Sequence, residues 1–307
     1  MSVKKAFRKL FISIKKIILF FLLISILGGL IVISLLWRYY YAPNIKLEKT
    51  PSYLYIKSTY TFDDVCNELT KKKYIKNLST FIWLAKKYGY DTKVKAGRYR
   101  LKDKMNNKQL VTILKSGKQE PVRLTINNIR TIEQLAGKVS YQIEADSLSI
   151  ISLLNDNKFL QKIHLNRNNV ISIFLPNTYF IKWNSTAEEF VERMQKEFEH
   201  FWNSERISKA NDLKLSPTEV IILASIVEEE SNFDEEYPII AGVYINRLRR
   251  GMLLQADPTV KFAHKNFALK RILKKHLEIN SPFNTYKYSG LPPGPICIPS
   301  LKAIDGV

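Results

Sequence analysis

The chain has 307 residues, 46% of them hydrophobic, and a formal net charge of +20 from 48 Lys and Arg against 28 Asp and Glu. That length is too great for one small core, so two domains are expected. Two distant cysteines, Cys66 and Cys297, exclude a disulfide framework, and four histidines with no HExxH or i, i+4 pair argue against a catalytic metal.

The first element is apolar. Ile17 to Trp37, "IILFFLLISILGGLIVISLLW", carries no charge, and roughly 20 such residues cross the hydrocarbon core of a bilayer. Lys4, Lys5, Arg8, Lys9, Lys15 and Lys16 precede it, and no acid occurs before Glu48. The positive-inside rule then predicts a basic cytoplasmic tail over 1–16, a transmembrane helix over 17–37 and everything later outside. Trp37, Tyr39, Tyr40 and Tyr41 read as an interfacial aromatic belt. A cleaved signal peptide is the competing reading, but the apolar run exceeds a signal core of about 7–15 residues and "RYYYAPN" lacks a small-x-small site. The expectation is a single-pass protein of the bacterial cytoplasmic (inner) membrane, N-terminus in. The strong positive charge suggests a polyanionic partner. An exported chain rarely meets nucleic acid, so anionic lipid at the N-terminal tail and an acidic wall polymer fit better. A solvated basic surface is the plainer explanation for any single Lys.

Residues 38–52, with Pro43 and Pro51, read as an extended linker. Over 53–119 a small module is predicted in the order β-α-α-β-α. "YLYIKS" alternates like a strand, and "TFDDVCNELTKK" is a helix capped by Thr61. "LSTFIWLAKKYG" is a helix closed by Gly89, "VKAGRYRL" a strand with a glycine turn, and "NNKQLVTILKSGK" a helix ended by Gly117. No cluster of acids, histidines or nucleophiles falls in it, which suits binding or positioning.

Residues 120–307 form the larger predicted domain. "VRLTIN" is a strand and "RTIEQLAGKVSYQI" a helix; Leu148–Leu154 and Lys158–Ile163 are helical too. "ISIFLPNTYFIKW" is apolar and punctuated by Pro176 and Asn177, with no element assigned. "STAEEFVERMQKEFEHFW" is a long amphipathic helix with Ser185 or Thr186 as cap.

Ser216, Pro217 and Glu219 start the next helix, as cap, first helical residue and third residue of a capping box. It runs through Val220 to Val227 almost without a polar face and ends in Glu228, Glu229 and Glu230. Acids at a helix C-terminus oppose its dipole, at roughly 0.3–1 kcal/mol each. That field, mutual repulsion and desolvation against Ile221, Ala224 and Ser225 all raise a carboxyl pKa, as a general acid requires. Spacing favours Glu228 weakly, because its face carries small residues that leave room for a ligand. The plain alternative is three acids at the wet end of an emerging helix.

"IIAGVYINRLRRG" follows as a helix with Ile240, Val243 and Leu248 inward and Gly251 beyond its end. "MLLQADPT" reads as a strand or extended run entering an Asp257-Pro258 turn. "SPFNTYKYSGLPPGPI" is a rigid loop whose Tyr286, Tyr288 and Asn284 suit the wall of a sugar site.

Together "LASIVEEES", "IAGVYINRLRRGMLLQADPTV" and "FNTYKYSGLPPGPI" resemble the YceG-like family, the membrane-bound endolytic murein transglycosylases, in order and spacing. "VKAGRYRL" and "LVTILKSGK" resemble a LysM-like module, so the likeness covers nearly the whole chain. The resemblance implies an α+β architecture: one transmembrane helix, the LysM-like module, and a transglycosylase domain. It implies cleavage of the MurNAc-GlcNAc bond of peptidoglycan glycan strands to give 1,6-anhydroMurNAc ends, with no cofactor and no metal. Peptidoglycan synthases are the candidate protein partners. By resemblance Glu228 is the catalytic acid, and Gln255, Asp257, Thr259, Asn284 and Tyr286 line the cleft, with Gln255 and Asn284 favoured for substrate contact. Asp257 has the alternative role of holding the turn before Pro258.

Two departures stand out. The family often carries an acid and a glycine before its PxTY segment, where this chain has "VISIFLPNTY". The chain also stops at "SLKAIDGV", where relatives run on, so the domain is expected to be incomplete at its C-terminus. Three rival functions remain: a lysozyme-like hydrolase, a non-catalytic membrane-tethered wall-binding scaffold, and a nucleic-acid binder with residues 38–307 in the cytoplasm.

Overall fold

The computed structural model describes the backbone of residues 3–307 and side chains from residue 14 onward. Lys4, Lys5, Arg8 and Lys9 of the predicted basic tail therefore have side chains outside the described residues. The chain forms two compact units, Met1–Glu120 and Pro121–Val307.

The first unit opens with α1 (Val3–Tyr41), whose stretch Ile14–Tyr41 is long and apolar enough to cross a membrane. No proline occurs before Pro43, so the helix runs on through residues assigned to a linker. The rest of that segment is not free either. Pro43 and Ile45 form isolated bridges to Asn106 and Ile75, and Ile45 is fully buried. Then come β1 (Ser52–Ile56), α2 (Phe62–Lys71), α3 (Leu78–Lys87), β2 (Gly97–Leu101) and α4 (Asn107–Ser116). β1 and β2 pair antiparallel from Ser52↔Leu101 to Ile56↔Gly97, with Leu54, Ile56, Tyr99 and Leu101 facing the core. Thr61 and Asp64 close a capping box on α2, and Gly117, at φ 70°, ends α4 in the left-handed region that glycine tolerates. This is the predicted β-α-α-β-α order.

A buried polar cluster fastens α1 to this module. Asn107, 1% exposed, donates from Nδ2 to the Tyr39 carbonyl at 2.9 Å and to Thr80 Oγ1 at 3.0 Å. Its Oδ1 accepts from Asn44 Nδ2 at 2.6 Å, and Asn44 also donates to the Asn77 carbonyl at 2.8 Å. Full pairing makes such a cluster tolerable in a core and rigid in geometry.

The second unit comprises β3 (Val122–Ile126), α5 (Ile132–Ser140), α6 (Ser147–Leu154), α7 (Asn157–Lys162), β4 (Asn177–Ile181), α8 (Ala187–Phe201) and α9 (Ser204–Asp212). It continues with α10 (Pro217–Glu230), α11 (Tyr237–Arg249), α12 (Asp257–Ala263) and α13 (Leu301–Gly306). β4 lies in the run left unassigned, and pairs antiparallel with β3 from Val122↔Ile181 to Ile126↔Asn177. Tyr179 and Ile181 point into a core shared with α5, α6 and α8, while Phe180 is exposed. Thr186 is the cap of α8, in a capping box with Glu189.

Two readings need correction. On α11 the buried residues are Tyr237, Ala241, Tyr244 and Ile245, and Ile240 and Leu248 pack against the same core as expected, whereas Val243 is half exposed. Asp257-Pro258 is not a turn but the first turn of α12, where proline's fixed φ is already helical. The run before it forms no strand: Gln255 N–H donates to the Thr285 carbonyl at 3.1 Å without extending into a ladder.

Candidate active site

α10 positions the acids. The Ser216 hydroxyl accepts the Glu219 amide at 3.3 Å, and the Glu219 carboxylate accepts the Ser216 amide at 2.7 Å. From Val220 to Val227 every residue is buried. The small residues expected to leave room for a ligand are filled by the protein. Ala224 is fully buried in the core, and Ser225 Oγ accepts the Ile296 amide at 3.0 Å while donating to the Ile222 carbonyl at 2.7 Å.

The three glutamates then point to three different partners, which answers how like charges share a helix end. Glu228 Oε2 accepts the Ser300 hydroxyl at 2.6 Å and the Ser300 amide at 3.3 Å. The Tyr237 hydroxyl also bonds Glu228; desolvation first, and then the nearby Glu228 charge, push that phenol up to about 12. Glu229 takes Arg130 Nη2 on both oxygens, at 2.6 and 2.8 Å. Behind this pair the Cys297 thiol is pushed well up, mainly by burial and then by Glu229. That thiol is inert rather than nucleophilic.

Glu230 accepts the Tyr244 hydroxyl at 2.6 Å. The residue as a whole is exposed, but its carboxyl is desolvated, and this raises its pKa above the ordinary glutamate value. Tyr244 and Lys261 oppose the rise, and the Asp257 charge reinforces it. Desolvation and the Glu230 carboxylate in turn hold Tyr244 protonated far above neutrality. Asp257 Oδ1 accepts the Tyr286 hydroxyl at 2.6 Å, and that phenol, desolvated and beside Asp257, is pushed up to about 12. Glu230, Tyr244, Asp257 and Tyr286 thus form a polar group with two permanent hydroxyl donors.

The other expected site residues divide. Gln255 is exposed and sits at φ 55°, the left-handed region where a non-glycine residue is strained. It is held there by its own amide bond to Thr285 and by the Ala256 amide on Thr285 Oγ1 at 3.0 Å. Thr259 and Asn284 do not line a cleft. Both are fully buried. Thr259 Oγ1 donates to the Ala256 carbonyl at 2.7 Å. Asn284 Nδ2 donates to the Leu277 and Ile279 carbonyls at 2.9 and 2.8 Å, and its Oδ1 accepts the Tyr286 amide at 3.1 Å. Both side chains are spent on shaping the loop that presents Tyr286. Asp257 holds Tyr286 with its side chain instead of bracing a turn with its backbone. Tyr288 is exposed and donates to Asn280 Oδ1 at 2.6 Å.

Sequence reasoning missed Arg130, Tyr237, Tyr244, Thr285 and Ser300. Only the tyrosines left a signal: with Ala241 they recur at 4- and 3-residue spacing on one face of α11. Two cavities of this unit lie at the opposite end of α10. One of about 640 Å³ is lined by Ser216, Glu219, Ile222 and Leu291, and another of about 660 Å³ by Trp202 and Val220. Neither is lined by Glu228, Glu229 or Glu230. Among the described residues no cluster of three or more His, Cys, Asp or Glu is arranged to hold a metal ion.

Residues 54–307 match the model of the YceG-like family. Over 273 residues the chain is 30% identical to the endolytic murein transglycosylase of Streptococcus pneumoniae serotype 2, covering 79% of this chain and 49% of that protein. It is 29% identical to the Bacillus subtilis strain 168 protein of the same name, covering 83% of this chain and 74% of that one. A crystal structure of a yceG-like protein from Listeria monocytogenes aligns with a TM-score of 0.53 at 30% identity, over 83% of this chain and 88% of that one. The chain therefore spans about half the length of the streptococcal relative.

Proposed function

The chain belongs to the YceG-like family, and from that membership we propose that it is a membrane-anchored lytic transglycosylase that cuts peptidoglycan glycan strands from within. The observation that carries this reading is the end of α10, where a buried helix delivers three carboxylates to three separate sets of partners. Glu228, the first acid of the family segment, is the general acid. The two Ser300 donors hold its carboxyl in one orientation, and a positioned group is what proton transfer needs.

In the reaction Glu228 gives its proton to the glycosidic oxygen as the C1–O bond of the muramic acid breaks. The carboxylate then takes the proton of that sugar's C6 hydroxyl, whose oxygen bonds C1. The product is a 1,6-anhydro end, no water is consumed, and no second carboxylate nucleophile is required, unlike a retaining glycosidase. Exposed Gln255 contacts the strand, and Tyr286, fixed by Asp257, forms part of the wall. The LysM-like module holds glycan, α1 spans the cytoplasmic membrane with its N-terminus inside, and peptidoglycan synthases are the protein partners. A second assignment of the proton donor, Glu230, is favoured by its raised pKa.

The test is product mass. Purified glycan strands treated with the full chain should yield ends lighter by one water than hydrolytic ends. Reducing ends would make the protein a lysozyme-like hydrolase, and uncut strands would make it a binder.

A further inference from the structure

The first unit carries a basic surface that the transglycosylase reading does not use. α1 delivers Tyr39, Tyr40 and Tyr41 directly after its apolar run. At about 1.5 Å per residue, the uncharged stretch 17–37 spans roughly the 30 Å of a hydrocarbon core, so these tyrosines lie at headgroup depth. α3 and α4 meet them there. The Trp83 ring packs on Tyr39 and Tyr40 with centroids 5.1 and 5.9 Å apart. Lys87 Nζ lies 5.4 Å from the Tyr40 centroid and 5.1 Å from that of Trp83, and Lys108 Nζ lies 5.2 Å from that of Tyr41.

Lys108 also lines a groove of about 780 Å³ with Lys102, Lys104, Lys118 and Gln109. Asp103 is the one acid lining it, and its carboxylate accepts the Leu47 amide at 3.1 Å. Aromatic rings with lysine ammonium groups beside them suit a layer that is apolar below and anionic above. The Asn107 bond to the Tyr39 carbonyl keeps this surface from leaving the helix end.

Resting on the reading of α1 as a membrane span, we propose that the collar of Trp83, Lys87 and Lys108, with the lysine groove behind it, seats in the headgroup layer and binds anionic phospholipid. The occupant is a lipid phosphate. The surface is covalently continuous with the span, and lysines at this depth meet headgroups before any soluble polyanion. Each such lysine favours anionic over neutral lipid by about fivefold.

The experiment places the full chain in nanodiscs of equal phosphatidylglycerol and phosphatidylcholine and counts retained lipids by native mass spectrometry. Lys4, Lys5, Arg8, Lys9, Lys15 and Lys16 are changed to Gln throughout, so that the tail cannot supply the signal. The expected result is several-fold enrichment of phosphatidylglycerol, lost in K87Q/K104Q/K108Q and restored when the same three positions carry Arg. Circular dichroism confirms that each variant is folded. No enrichment, or enrichment that survives the triple change, overturns the proposal. So does binding of soluble poly(glycerol phosphate) by the detergent-solubilised chain without lipid preference, which would assign the lysines to a wall polymer. Extraction of the chain from membranes by alkaline carbonate would instead sink the spanning reading, and this one with it.

Discussion

Ser300 gives both its donors to one oxygen of Glu228, the hydroxyl at 2.6 Å and the amide at 3.3 Å. The same hydroxyl caps α13 by accepting the Ala303 amide at 3.1 Å. One side chain therefore fixes both the acid and the helix that backs it. Ser300→Ala should cost about 1 kcal/mol of stability as a lost cap and lower turnover by roughly 10- to 100-fold through misplacement of the acid. Kinetics beside thermal melts decide it: a lower Tm with unchanged turnover would leave Ser300 as a cap alone.

Glu228→Gln should fold and still bind glycan but lose roughly 10²–10⁴ in rate. Glu230→Gln should retain measurable cleavage, because its carboxyl serves the polar group with Tyr244 and Asp257. Muropeptide analysis of both variants separates the two assignments. If Glu228→Gln stays active while Glu230→Gln is dead, the roles are exchanged.

The raised Glu230 pKa makes stability depend on pH in a definite direction. Its native value lies above the ordinary 4.5, so the folded state keeps a proton that the unfolded state has lost. That contribution is fully present below the unfolded value and disappears as pH rises through the native one. Glu230→Gln removes the titration. Its stability relative to wild type should therefore climb across that window and then level off. A difference that stays flat from about pH 4 to about pH 8 would falsify the desolvation argument.

The Tyr286–Asp257 bond can be measured directly. Tyr286→Phe, Asp257→Asn and the double variant form a cycle whose coupling should be about 1 kcal/mol in urea unfolding, as for a hydrogen bond near solvent. Zero coupling would mean the two groups do not pair in solution.

Gly294 has no room for a side chain: an added Cβ would lie 1.8 Å from the Asn168 carbonyl oxygen. That contact is to backbone, which cannot swing aside. Gly294→Ala should cost about 3 kcal/mol or more, at the top of the range for overpacking. A melt within a degree or two of wild type would show that the two loops do not approach so closely.

Helix ends were legible in the sequence because capping is local. Thr61, Ser216 and Gly117 sit three or fewer residues from the groups they satisfy, and all three act as read. β4 was not legible, because its partner β3 lies some fifty residues away and Pro176 and Asn177 mask its start. The partners of the glutamates were hidden for the same reason. Arg130 reaches Glu229 across 99 residues, and Ser300 reaches Glu228 across 72. Asn284 looked like a substrate amide because residue type carries no record of burial. Its donors are consumed by two carbonyls of its own loop. On α11 hydropathy alone puts the aliphatic Val243 inward and gives the tyrosines no weight, although hydroxyl-bearing rings are what the acids of α10 require.

The asparagine cluster around Asn107 has a mechanical consequence. A module riveted to the last turn of α1 cannot swivel about it, so whatever leans the helix must lean the module. A thinner bilayer tilts a long apolar helix, and the groove beside α4 would dip or lift accordingly. Sheet thickness would then become a lever on how the lysine face meets its surroundings.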